Sequence, residues 1–204
     1  MENLEIAYDH YKETFAYVKE AEKGRNKIFI ILALLITALY LFAIEPGSLY
    51  QIINEVIREQ WQISVNIGFG TIQSLLWVIL LFYSIRYFQI NTYIERQYTY
   101  LHKLESDIAN KVDFIFEREG RGYLGKYPLL LDMIYYIYTW AFPVIYIFVV
   151  CYKIVLEWVN RFSIGNVIFN TIISGCIIVA SILYLIMLHP KQNNQIDEVE
   201  EERG

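Results

Sequence analysis

Charge is missing from three long stretches of this chain and nearly so from a fourth, and the residue types that carry chemistry are scarce throughout. Cysteine occurs only as Cys151 and Cys176, both inside apolar stretches. At different expected depths these form neither a structural disulfide nor a zinc-ligand pattern. The three histidines, His10, His102 and His189, lie far apart in sequence, and none stands beside a nucleophile. No Ser/His/Asp arrangement, carboxylate pair at membrane depth or Lys-bearing phosphate loop occurs. The sequence therefore predicts a non-enzymatic protein with no cofactor and no bound metal. A basic balance is lacking too: the net charge of −5 gives no bulk electrostatic reason to expect direct nucleic-acid binding. No signal-peptide core opens the chain, so the first apolar stretch is expected to serve as its own insertion signal.

What is present is apolar surface. Hydrophobic residues make up 56% of the 204 and aromatics 17%, above the 45–50% usual for soluble domains. The excess falls in four blocks, Ile28 to Ile44, Gln60 to Ile85, Leu129 to Tyr152 and Phe162 to Leu188. A helix needs about 20 such residues to cross the hydrocarbon core. A soluble bundle would need one polar face per helix, and these blocks are apolar nearly all round. The expected fold class is all-α: a polytopic membrane protein with four transmembrane helices plus two cytoplasmic amphipathic helices.

Lys and Arg set the orientation. Fourteen lie in the N-terminal stretch, the central segment and the tail; the two remaining connections hold three, Arg58, Lys153 and Arg161. The positive-inside rule then places both termini in the cytoplasm. Trp61, Trp158, Tyr50 and Tyr152 fall at the outer interface, where such rings prefer to sit.

The chain divides accordingly. Residues 1–26 form a cytoplasmic amphipathic helix, and 27–90 a first hairpin with an outer interfacial helix at 48–60. A cytoplasmic helix and Gly-rich loop follow at 91–128, a second hairpin at 129–189, and an acidic disordered tail at 190–204. The first amphipathic stripe carries Leu4, Tyr8, Tyr11, Phe15 and Val18; the second carries Ile94, Tyr98, Leu101, Leu104, Ile108, Val112 and Ile115. Such stripes must be buried, against each other or against neighbouring copies. Tyr98, Leu101, Leu104, Ile108, Tyr8, Tyr11 and Phe15 are the expected partner or assembly surface.

The halves also resemble each other. Tyr50-Gln-Ile-Ile-Asn-Glu-Val-Ile and Tyr152-Lys-Ile-Val-Leu-Glu-Trp-Val align at an offset of 102, and Gly24-Arg25 and Gly120-Arg121 mark corresponding turns. A tandem two-span duplication would produce this, as would two hairpins of similar layout. Gly120 to Gly125 matches GxGxxG, but no strand precedes it and no βαβ unit exists, so a dinucleotide site is excluded.

Asp132 is the acidic residue within an apolar block, about one turn from its cytoplasmic end. It either pairs with Lys126 as an anchor or lines an ion path. A polar stripe continues along Tyr136, Thr139, Pro143 and Tyr146. Asn166, Asn170, Ser174 and Ser181 share a face of the fourth block, and Asn66, Gly70 and Gln73 offer the same on the second. Such residues glue helices together in lipid, or line a polar path through Asp132, Tyr136, Thr139, Asn166, Asn170, Ser174 and Gln73. Pro143 is expected to kink the third span.

Tyr93-Ile-Glu-Arg-Gln-Tyr-Thr-Tyr-Leu-His-Lys-Leu-Glu105 and Glu117-Arg-Glu-Gly-Arg-Gly-Tyr-Leu124, ending in Tyr127-Pro128, resemble a family of small bacterial membrane proteins, some found near antiphage defence genes. The four-span layout is also similar to the membrane subunit of the Kiwa defence system and to small membrane accessories of RNA-targeting CRISPR systems. The resemblance implies a bacterial inner membrane and a cytoplasmic protein partner. The expected function is an oligomeric inner-membrane scaffold, in contact with lipid, that recruits or regulates that partner in antiphage defence. The alternative is a triggered pore or channel.

Overall fold

Helices and turns account for nearly all the described residues, which in the computed structural model are 2–44, 46–61, 68–111, 133, 135–160 and 163–201. α1 spans Glu2–Ile44 and α2 Pro46–Trp61; α3 spans Phe69–Ala109. A π turn, Ile137–Ala141, leads into α4, Phe142–Val159, and α5 spans Ile164–Glu201. Four helical stretches are long and apolar enough to cross a membrane: Leu4–Ile44, Phe69–Ala109, Ile137–Val159 and Ile164–Met187. The chain is an all-α polytopic membrane protein.

Several expected boundaries are absent. α1 runs unbroken through Gly24-Arg25, where a turn was expected. A lone Gly costs about 1 kcal/mol against Ala in a helix, too little to break one that continues for several turns on either side. α3 likewise joins the second span to the second amphipathic stretch in a single 41-residue helix. α5 continues to Glu201 through the segment expected to be disordered. Its Gln, Glu and Lys residues are good helix formers, and extending an existing helix avoids the cost of nucleation. Pro143 has no N–H, and its ring crowds the carbonyl of Thr139. The preceding turn is π rather than α, with the Phe142 N–H donating to the Ile137 carbonyl.

The helices belong to two compact units. One comprises Met1–Ile28 and Tyr87–Phe142, and the other Phe29–Arg86 and Pro143–Gly204. In the first, hereafter the extension, Tyr11 and Val18 of α1 bury against Ile94, Leu101 and Ile108 of α3, with Leu4, Phe15, Tyr98 and Leu104 packed around them. The two amphipathic stripes thus cover each other within one chain. The Tyr11 hydroxyl donates to Glu105 Oε1 at 2.6 Å, and the Tyr98 hydroxyl donates to Glu22 Oε1 at 2.7 Å. These pairs fix α1 and α3 antiparallel.

In the second unit, the bundle, buried residues recur at alternating spacings of three and four. They are Gln73, Trp77, Leu80 and Ser84 on α3; Tyr146, Val150, Lys153 and Glu157 on α4; and Val167, Asn170, Ser174, Ile177, Ser181 and Tyr184 on α5. This is the seam spacing of left-handed helix packing. The Ser84 hydroxyl gives its one proton to the Leu80 carbonyl at 2.6 Å, so Tyr146 is the donor in its 2.5 Å contact with Ser84. Gly70 marks a close approach: a Cβ there would lie 1.8 Å from Asn166 Nδ2 on α5.

Candidate functional site

A fully buried ion pair lies within the third span. Lys153 and Glu157 stand one turn apart on α4, on the seam begun by Tyr146 and Val150. Lys153 Nζ donates to Glu157 Oε1 at 2.7 Å, with both side chains at most 2% exposed. Three neutral donors from neighbouring helices complete the shell. Trp77 Nε1 reaches Oε1 at 2.9 Å, Gln73 Nε2 donates to the same oxygen, and Asn170 Nδ2 reaches Oε2 at 2.8 Å. α3, α4 and α5 therefore converge on one carboxylate.

The donor set suits an ionised Glu157. A carboxylate only accepts hydrogen bonds, and here every partner is a donor, one of them cationic. Removing a charge from water costs several kcal/mol, which a pair recovers only when geometry and extra hydrogen bonds are good. Both conditions hold for Glu157. Losing one partner would leave the other charge bare, whereas replacing both by apolar residues can be nearly neutral. Around the site, Ile154, Val155, Leu156, Trp158 and Val159 keep α4 apolar. Trp158 is exposed and donates to Thr171 Oγ1 at 3.2 Å.

The helix observed here differs from one boundary read from the sequence. The third block ends at Tyr152 by hydropathy, with Lys153 in an outer connection. The helical stretch long and apolar enough to cross a membrane is Ile137–Val159, and it contains both charges. Lys153 is buried because Glu157, one turn on, neutralises it. The matched segments of the two halves are accordingly unlike: Glu55 on α2 is exposed, whereas its counterpart Glu157 is 0% exposed. α2 is also a separate helix, while residues 152–159 are the end of α4. The duplication is not supported.

The expected polar path is only partly assembled. Gln73 and Asn170 meet at Glu157. Ser174 is buried but donates to the Thr171 carbonyl of its own helix at 2.9 Å. Thr139 is buried and bonded to the Tyr135 carbonyl at 2.7 Å. Asn166 packs over Gly70, and Tyr136 is 53% exposed. Asp132, Lys126, Asn66 and the Gly120–Gly125 segment lie outside the described residues, as do Val112 and Ile115.

The expected assembly surface changes more. Leu101, Ile108 and Tyr11 are at most 3% exposed inside the extension, and Phe15, Tyr98 and Leu104 pack against them. They are spent within the chain, because each stripe finds its cover on the other helix. Tyr8 is the exception: it is 43% exposed, with the Lys12 ammonium 5.5 Å from its ring centre.

Sequence reading missed Lys153, Glu157 and Trp77. The signal was available in the 4-3-4 spacing of Tyr146, Val150, Lys153 and Glu157, together with the opposite charges at i and i+4. Among the described residues, no group of three or more His, Cys, Asp or Glu could hold a metal ion. No family model, curated protein or solved structure matches the chain. Fold and site define a class: a polytopic helical membrane protein with a charged cluster buried between its spans.

Proposed function

We propose that the chain is a non-enzymatic scaffold that recruits a cytoplasmic protein partner through the extension of α1 and α3. It works as a homo-oligomer in a bacterial inner membrane, with both termini in the cytoplasm. The observation that carries this reading is helix length joined to packing. At 43 and 41 residues, α1 and α3 reach about 60–65 Å, twice the roughly 30 Å hydrocarbon thickness. Segments 2–28 and 87–109 share a core of their own. With Lys153 inside the bundle, the two outer connections keep only Arg58 and Arg161, which strengthens the charge bias behind the orientation. The antiphage setting rests on the sequence resemblance alone.

The docking face is the part of α1 left uncovered. Ile6 and Tyr17 are 62% and 60% exposed, beside the exposed Asp9, Glu13 and Glu20. A partner presenting apolar and basic side chains fits it. Changing Ile6 and Tyr17 together to Asp in the full chain should leave insertion and yield unchanged while reducing partner co-purification by at least about tenfold. Undiminished co-purification would refute this face.

The buried polar cluster favours a second reading, a triggered pore. Trp77, Leu80, Tyr146 and the ion pair fill the bundle interior, so conduction would have to run between protomers. A membrane-potential dye separates the readings: depolarisation on triggered expression supports the pore, and an unchanged potential supports the scaffold.

A further inference from the structure

We propose that a second copy of this chain docks on the extension, the acidic outer face of α1 in one copy meeting the basic outer face of α3 in the next. The proposal rests on the homo-oligomer reading above and names its interface. Glu13 and Glu20 each follow a buried seam residue of α1, Tyr11 and Val18, by two positions. Arg96 and Lys103 stand in the same relation to Ile94 and Leu101 on α3. Two residues turn a helix by about 200°, so each pair points away from the shared seam, on opposite edges of the helix pair. All four side chains are exposed. The ion pairs among the described residues are Lys19–Glu22 and Lys153–Glu157, so none of the four charges is neutralised within its own chain. Ile6 and Tyr17 lie to one side of the acidic line and stay open to the cytoplasmic partner.

Height makes the two faces complementary. The Tyr11 hydroxyl donates to Glu105 at 2.6 Å, which sets these residues level in the antiparallel pair. Lys19 and Glu22, further along α1, both reach the Tyr98 hydroxyl and hold that register to within about one turn. Two residues on from Tyr11 is Glu13, and two back from Glu105 is Lys103; nine residues in the same directions reach Glu20 and Arg96. Copies in one membrane share its normal and stand at one height, so the level relation within a chain also holds between neighbours. Each contact then brings together Glu13 with Lys103 and Glu20 with Arg96. Asp9 and Asp107 fall level by the same count, a like-charge pair that weakens the contact. Since the faces lie on opposite edges, one copy cannot use both against the same neighbour. The contact therefore runs head to tail around an axis along the membrane normal. Exposed ion pairs add little affinity. They set which faces meet, and in which register, among copies the bilayer already concentrates.

Cross-linking and charge reversal in the full chain test this. With Cys151 and Cys176 replaced by Ser, Glu20→Cys and Arg96→Cys in one chain should give a ladder of covalent multimers when membranes are treated with a short bis-maleimide. Either cysteine alone should give none. In the otherwise native chain, Arg96→Glu with Lys103→Glu should lower the oligomeric fraction by about tenfold, read as particle mass after solubilisation. Glu13→Lys with Glu20→Lys should do the same. All four reversals together should restore assembly, which misfolded variants could not do, and Asp107→Lys should raise it above native. An oligomer that keeps its mass in both reversed pairs and gives no ladder would overturn this interface while leaving the homo-oligomer reading intact. A monomeric native chain would overturn both. Adducts to a different protein in place of the ladder would assign the faces to that protein and overturn the proposal.

Discussion

The extension and the bundle use one packing pattern with opposite chemistry. In the extension the seam is mainly apolar, with Tyr11, Val18, Ile94, Leu101 and Ile108, and the outward face carries Asp9, Glu13, Glu20 and Lys103. In the bundle the seam holds Gln73, Ser84, Lys153, Glu157, Asn170, Ser174 and Ser181, while Phe82, Phe148, Ile172 and Val179 face outward. α3 carries both versions, and its buried positions keep the same spacing from Gln73 to Ile108. The contrast follows from what surrounds each unit. Water drives apolar stripes together. Lipid supplies no such drive, so polar contacts and close packing hold membrane helices to one another.

Leu101→Asp should have the largest effect, because it places a carboxylate with no cationic partner in the apolar seam of the extension. A loss of about 3–5 kcal/mol is expected there. Amide exchange should accelerate along residues 90–108 while protection of the bundle segments of α3 and α5 persists. Equal loss of protection in the bundle would mean that the two units do not unfold separately.

Gly70→Ala comes next. Its new Cβ would overlap Asn166 Nδ2. The Asn side chain can swing aside, so the cost should be about 1–3 kcal/mol, seen as a lower denaturation midpoint. An additional Asn166→Ala change should restore most of it. Smallest is Ser181→Ala. The Ser181 hydroxyl, though buried, donates to Ile177 of its own helix at 2.8 Å. The loss should stay below about 0.6 kcal/mol, the average for polar contacts in membrane bundles. A much larger loss would show that the hydroxyl serves a cross-helix contact.

The span count, the helical class and the two stripes were legible because each is a matter of composition and period along one helix. Thus Tyr11, Val18, Leu101 and Ile108 could be read as buried before any helix was placed. Their partner could not, because a stripe on α1 looks the same whether α3 or another copy covers it. The ends of α1 and α3 were hidden for a related reason: Gly24 is weak punctuation, and nothing local forces a break near Arg86. Lys153 misled most. A lone lysine ends a span by hydropathy, but this one is neutralised by Glu157 on its own helix, and the donors that complete the Glu157 shell, Gln73, Trp77 and Asn170, come together only once three helices meet.

The most direct test is a double-mutant cycle at the ion pair, using reversible denaturation in detergent or lipid. Lys153→Met and Glu157→Gln should each cost about 3–5 kcal/mol, since each strands the other's charge, or its donors, in the bundle. The double variant should lie within about 1 kcal/mol of the native chain, because the loss of one charge removes the reason to keep the other. Two small, additive losses would instead place Lys153 and Glu157 in water outside the membrane and contradict the buried cluster.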